Sequence, residues 1–196
     1  MSPRAFPLRL SLLLLALAGL AAAQTAPGEV ARYQKISMSD GGLVGPIQDF
    51  DRFGASIGAL GDVDGDGVED VAVGSDLDDD GGTDRGAVWI LFLNTDGTVK
   101  AEQKISATAG GFDQALAFGD RFGFSVAGIG DLDGDLVPDM VVGAPGSDDG
   151  ADDDEADYGA VYIVFLNTDG TVKATQRISD TDGGWPNTPL NRLEDT

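Results

Sequence analysis

Two families of ligand chemistry are missing from this 196-residue chain, which has no cysteine and no histidine. Zinc, copper, haem and iron–sulfur centres lose their usual nitrogen and sulfur donors. A Ser-His-Asp or Cys-His nucleophile has no base, and neither a disulfide nor a cysteine-borne lipid can form. Positive charge is scarce too: 12 Lys and Arg stand against 34 Asp and Glu, a formal charge of −22. Such a surface repels nucleic acid and anionic lipid. Hydrophobic residues at 42% still suffice for an ordinary core, which excludes a disordered acidic tail.

Aspartate is in excess, 29 against 5 Glu. A surface made acidic for solubility alone would use both. The short Asp carboxylate reaches its own backbone, so Asp belongs to turns, caps and metal loops. Most of the acids fall in four stretches, 62–70, 76–84, 131–139 and 148–157.

At the start, Arg4 and Arg9 precede an apolar run from Leu10 to Ala22, closed by Ala21-Ala22-Ala23 before Gln24. Basic, apolar and small-residue segments in that order predict an export signal over 1–23. The run is short for a membrane span, and no second one follows. The mature chain is therefore expected to be 24–196, secreted or at the cell surface, without a membrane span. Calcium outside cells is plentiful enough to fill weak sites.

The chain repeats itself. Asp51-Arg52-Phe53-Gly54 returns as Asp120-Arg121-Phe122-Gly123, and Gly61-Asp62-Val63-Asp64-Gly65-Asp66 as Gly130-Asp131-Leu132-Asp133-Gly134-Asp135, from 51 to 120 and from 61 to 130, an offset of 69. Asn94 to Lys100 returns as Asn167 to Lys173, an offset of 73. The four extra residues fall in the second acidic loop, Ser147 to Tyr158, where insertion leaves packed elements untouched.

Each unit reads as four short strands. Gly54 to Leu60 is the first. Val71-Ala72-Val73-Gly74 is apolar throughout and expected to be covered on both faces. Ala87 to Leu93 is the most β-prone run. Asn94-Thr95-Asp96-Gly97 makes a hairpin turn, and Thr98 to Ser106, with Lys100, Glu102 and Lys104 alternating, suits an outer strand with one wet face. No helical periodicity follows the export signal.

The predicted fold class is all-β, with four antiparallel strands per unit as the blades of a β-propeller; a stack of two sandwich domains is the alternative. Residues 24–53 would supply the outer strand of a preceding or last blade and its connection, since Val30 to Ser37 matches Val99 to Ser106. The first blade spans 54–106, a connection 107–122 and the second blade 123–179. A third unit begins over 180–196, where Gly183-Gly184 answers Gly110-Gly111. Two blades cannot close a ring. The chain is thus expected to be a fragment whose missing blades lie in a longer parent, or one of several copies completing a ring.

Asp62-Val63-Asp64-Gly65-Asp66-Gly67-Val68-Glu69-Asp70 puts carboxylates at positions 1, 3, 5 and 9 of a tight loop. Alternating acids around glycines can turn their oxygens onto one point, and hard oxygen donors without nitrogen or sulfur suit calcium better than magnesium. An EF-hand needs Glu at position 12 between helices; here position 12 is Val73, and Val142 in the second loop, each inside a predicted strand.

Phe53-Gly54-Ala55-Ser56-Ile57, the loop Asp62 to Asp70, and Val73-Gly74-Ser75 resemble the FG-GAP repeat of integrin α-subunit propellers and related bacterial secreted proteins. Phe122-Gly123 with Val142-Gly143-Ala144-Pro145 does so more closely, because Gly-Ala-Pro is literal. The resemblance covers about residues 30–196 and implies a seven-bladed propeller in the parent protein. It implies calcium held by Asp62, Asp64, Asp66, the Val68 carbonyl and Asp70, and again by Asp131, Asp133, Asp135, the Val137 carbonyl and Asp139. It further implies adhesion or recognition of an extracellular protein or glycan, without catalysis. The other expectation is a non-catalytic propeller attached to a larger secreted hydrolase, as in certain phospholipases. Paired carboxylates could also serve a glycosidase, but these are committed to loops.

The second loop departs from the pattern, with Leu136 where the first has Gly67. If the position needs positive φ, a branched side chain costs roughly 1–2 kcal/mol, which predicts a weaker second site. The acidic stretches 76–84 and 148–157 are irregularly spaced and expected to be solvated. Trp89, Phe92, Tyr162 and Phe165 are expected in the core, and Trp185 at the surface.

Overall fold

The computed structural model describes residues 29–30, 32–148, 159–180 and 182–184. The predicted export signal, most of the second acidic loop and Trp185 lie outside them. The unit from Gln34 onward contains two four-stranded antiparallel sheets and, among the described residues, no helix. The first sheet orders β1 (Ser56–Gly61), β2 (Asp70–Ser75), β3 (Ala87–Leu93) and β4 (Val99–Ser106) side by side. The second repeats this with β5 (Ser125–Gly130), β6 (Asp139–Ala144), β7 (Ala160–Leu166) and β8 (Val172–Ile178). These are two blades of an open propeller.

Local chemistry sets the strand ends. In the β3–β4 turn the Asn94 amide donates to the Thr98 carbonyl (2.8 Å) and the Asp96 carboxylate accepts the Thr98 amide (3.0 Å), while Gly97 takes φ 85°. Asn167 to Thr171 repeats that turn. β3 is buried along almost its whole length. No strand forms over residues 32–36, in contrast to the expected outer strand; only an isolated bridge joins Ser37 to Asp40. A strand persists by pairing, and no described strand pairs with that segment.

The blades meet face to face. Leu60, Ala72, Val88, Ile90, Phe92 and Ile105 of the first blade share one core with Met140, Val142, Tyr162, Val164 and Leu166 of the second. Phe112, Phe122 and Tyr162 fill its centre, with ring centroids 4.7, 5.5 and 5.6 Å apart. Each such side chain taken from water contributes roughly 1.5–3 kcal/mol. Phe165 differs from Phe92, its counterpart, in being only half-buried.

Backbone contact carries the joint where side chains would not fit. A Cβ on Gly74 would collide with the Gly123 carbonyl, and one on Gly86 with the Phe122 backbone. Amides of Gly119, Arg121 and Phe122 donate to the carbonyls of Thr83, Asp84 and Arg85 at 3.3, 3.1 and 3.0 Å. Across the joint Arg121 donates to Asp76 from Nη2 (2.6 Å) and Nε (3.2 Å), and Arg52 of the first blade donates to the same carboxylate (3.2 Å). The expectation of a solvated 76–84 loop is thereby corrected: Asp76 and Asp78 are fully buried. Buried carboxylates persist only when paired, and Asp78 is paired with Lys104 (2.9 Å), whose ammonium lies over the Trp89 ring.

Burial also pushes the Asp120 carboxyl above its ordinary range, against the lowering effect of the Ala117 amide it accepts (2.8 Å) and of Arg177. A carboxyl raised in the folded state contributes stability below its unfolded pKa and loses that contribution as pH rises through the folded value. Asn keeps an oxygen for the Ala117 amide and cannot ionise. Asp120→Asn should therefore gain Tm relative to wild type, by a few degrees, on going from about pH 4 to about pH 7. Paired thermal melts check this, and a flat or opposite trend would refute it.

Candidate metal centre

The loop between β1 and β2 folds back because Gly65 and Gly67 take φ 78° and 88°. Asp62 organises the turn by accepting the amides of Asp66 (2.9 Å) and Gly67 (2.8 Å). Asp70 anchors it to the sheet, with one oxygen accepting the Val63 amide (2.9 Å) and the other the Leu93 amide (3.0 Å). Burial pushes the Asp70 carboxyl up despite those two amides. The second loop copies the arrangement. Asp131 accepts the amides of Gly134, Asp135 and Leu136 (2.7, 3.1 and 2.9 Å), and Asp139 those of Leu132 (2.9 Å) and Leu166 (3.1 Å).

Ligand oxygens of Asp62, Asp64 and Asp70 lie within 4.8 Å of one another, as do those of Asp131, Asp133 and Asp139. Asp66 and Asp135 stand outside these triads. Each accepts the amide of the valine two residues on, Val68 (2.8 Å) and Val137 (2.9 Å), which holds those valines on the turn. Oδ1 of Asp64 is buried with no hydrogen-bond partner, and a buried unpaired carboxylate oxygen is costly. Hard oxygens gathered this closely, with one unsatisfied, fit a hard divalent cation.

Lys100, which the alternation of the outer strand had placed in solvent, and its repeat counterpart Lys173 belong to the loops. Lys100 pairs with Asp64 (2.8 Å) and with Asp66, and Lys173 with Asp133 and Asp135 (2.6 Å each). The ammonium of Lys100 holds the Asp66 carboxyl below its usual range, and Lys173 does the same for Asp135. Both lysines are raised in turn, Lys100 by Asp64 and Asp66 and Lys173 by Asp133 and Asp135. The signal was present in the repeat: Lys100 returns as Lys173 in a chain with few cations.

Fold and loops together define a propeller segment whose blades each carry an acidic loop between the first two strands. Residues 53–91 match the family model described as FG-GAP repeat. The chain is 38% identical over 102 residues to integrin alpha-5 of Xenopus laevis, covering 52% of this chain and 9% of that protein. It is 40% identical over 122 residues to integrin alpha pat-2 of Caenorhabditis briggsae (62% and 9%) and 34% over 136 residues to human integrin alpha-IIb (69% and 11%). The chain thus spans about a tenth of the length of these relatives. It carries FG-GAP repeats of the integrin α type.

Leu136 takes φ 74° and is exposed, so its side chain adds strain without packing. Leu136→Gly should relieve roughly 1–2 kcal/mol of that strain, less the entropy glycine adds to the unfolded chain. Net stability should rise by up to about 1 kcal/mol, and any divalent cation held by the second loop should bind more tightly. Denaturant melts and titration calorimetry test both, and unchanged values would sink the strain argument. Lys100→Met should lower stability in chelator yet raise the first loop's affinity for a divalent cation several-fold, because the tethered ammonium competes for the same oxygens. Calorimetry showing affinity unchanged or weakened would contradict this.

Proposed function

We propose that this chain is an exported calcium-binding propeller module that serves extracellular recognition, with a protein or glycan as its partner. The observation that carries the reading is the convergence of three aspartates in each repeated loop, together with the unsatisfied buried oxygen of Asp64. In the first loop the ion's ligands are Asp62, Asp64, Asp66, the Val68 carbonyl and Asp70; in the second, Asp131, Asp133, Asp135, the Val137 carbonyl and Asp139. Bound there, the ion supplies the positive charge that lets these carboxylates sit together, and it ties the β1–β2 and β5–β6 loops to their blades. Calcium accepts six to eight oxygens in flexible geometry, whereas magnesium demands a near-octahedral shell. The role is binding rather than catalysis, since the acids are engaged in holding their loops. Among the described residues no helix is long and apolar enough to cross a membrane. Similarity to proteins named as integrin α chains supports recognition as the task.

The test is a thermal melt in chelator, then with rising calcium or magnesium. A ligand at one hundred times its Kd stabilises by about 2.7 kcal/mol per site. Tm should climb by several degrees with calcium, and by much less with magnesium. Asp70→Asn combined with Asp139→Asn should abolish the climb. A cooperative melt indifferent to calcium would reduce these loops to ordinary turns.

A further inference from the structure

The two acidic loops reach each other through the joint between the blades. Val63 stands between Asp62 and Asp64, yet its side chain is 2% exposed and belongs to the core that both blades share. Val137 of the second loop, 8% exposed, belongs to the same core. Pro138, the next residue, lies against the first blade: a Cβ on Gly61, which precedes Asp62, would stand 3.3 Å from the Pro138 ring. Residues 61–63 and 137–138 are therefore loop and joint at once.

Both valines are also tied to loop carboxylates. Val63 donates its amide to Asp70 (2.9 Å), and Val137 donates its own to Asp135 (2.9 Å). The Val137 carbonyl is a proposed ligand of the second ion, and Asp139 follows Pro138 directly. Neither valine can leave the joint without disturbing the oxygens around its loop. A cation that draws in Asp135, the Val137 carbonyl and Asp139 fixes Val137 and Pro138 against the first blade. One that draws in Asp62, Asp64 and Asp70 fixes Gly61 and Val63 against the second. Each ion thus removes freedom that its counterpart would otherwise have to remove.

We infer that the two loops fill cooperatively, with Val63, Val137 and Pro138 carrying the coupling across the joint. The inference rests on the reading that both loops hold calcium. Coupling of this kind is reciprocal: the first ion tightens the second site by the factor with which the second tightens the first. Charge acts in the opposite sense, because a divalent ion in one loop weakens the pull of acids on an ion in the other. That antagonism passes through solvent and is screened, with a Debye length of about 8 Å at physiological ionic strength. The contact of buried side chains is not screened. Added salt therefore weakens calcium at each loop while the coupling between loops holds or grows.

Titration calorimetry of the whole chain with calcium tests this. Asp64→Ala disables the first loop and Asp133→Ala the second, so each variant reports the other loop alone. The product of the two association constants of the wild-type chain should exceed the product of these single-loop constants at least about fivefold. That ratio should hold or grow in added sodium chloride. Val137→Ala, which removes no carboxylate, should leave both loops able to bind and bring the ratio, measured in its background, close to unity. A retained cooperative melt shows that the variant folds; should Val137→Ala lose it, Val63→Ala tests the same contact. A wild-type ratio at or below unity, one that falls with salt, or one that the valine variant leaves unchanged overturns the coupling and leaves the cation sites standing. Calcium held by only one loop of the wild-type chain overturns it equally. Calcium held by neither loop overturns the calcium reading, and the coupling with it.

Discussion

The structure depends on the close approach of two backbones. At the innermost strands Gly58 faces Ala127 and Gly128 faces Ala59; a Cβ on Gly128 would strike the Ala59 carbonyl, and one on Gly58 would press on the Val126 and Ala127 backbone at 3.1 Å. Farther out, Gly74 and Gly86 admit the Phe122-Gly123 backbone. Contact this tight at the inner strands leaves a space that widens outward, and Ile90, Phe92 and Tyr162 fill it. Once the sheets are fixed in this way, each loop between first and second strands leaves the same edge of its blade. The acidic loops are thus a consequence of the joint as much as of their own sequence.

Charge is the second constraint, and magnitudes show why it cannot be left unbalanced. Two unit charges 4 Å apart cost about 1 kcal/mol in water and about 4 kcal/mol at the effective dielectric near a protein surface. Three carboxylates whose oxygens lie within 4.8 Å of one another are in that regime. Backbone amides offset part of the repulsion at Asp62 and Asp70, and one ammonium per loop offsets more. What remains is a site still negative, rigidly held and lined with oxygen. The same logic explains Asp76, which is buried only because two arginines converge on it.

Much of this was legible in the sequence because it was written twice. Asp-Arg-Phe-Gly and the acidic nonapeptide, recurring at one offset, gave blade number, strand order and the loops that gather Asp62, Asp64 and Asp70. What stayed hidden was long-range. Nothing local marks Asp76 as buried, since its partners Arg52 and Arg121 are 24 and 45 residues away. Strand alternation put Lys100 in water, because it records which face is wet and not which acid lies across 34 residues of chain. Residues 30–37 matched a strand in sequence, yet a strand exists only where a neighbour offers its edge.

The differences between the repeats separate what specifies the fold from what tunes it. Phe-Gly, the β2 glycine and the first, third, fifth and ninth loop aspartates recur unchanged; the first, fifth and ninth accept backbone amides, and the third pairs with the lysine of the outer strand. Gly67 becomes Leu136 and Asp76 becomes Pro145, neither of which alters strand order or register. The first change adds strain to a loop that still forms its triad. The second removes a buried carboxylate, whose ionised form would be costly without its arginines, and leaves an apolar surface in its place. A blade can therefore do without the buried carboxylate and keep its strand order and register, because its strands and glycines set the geometry.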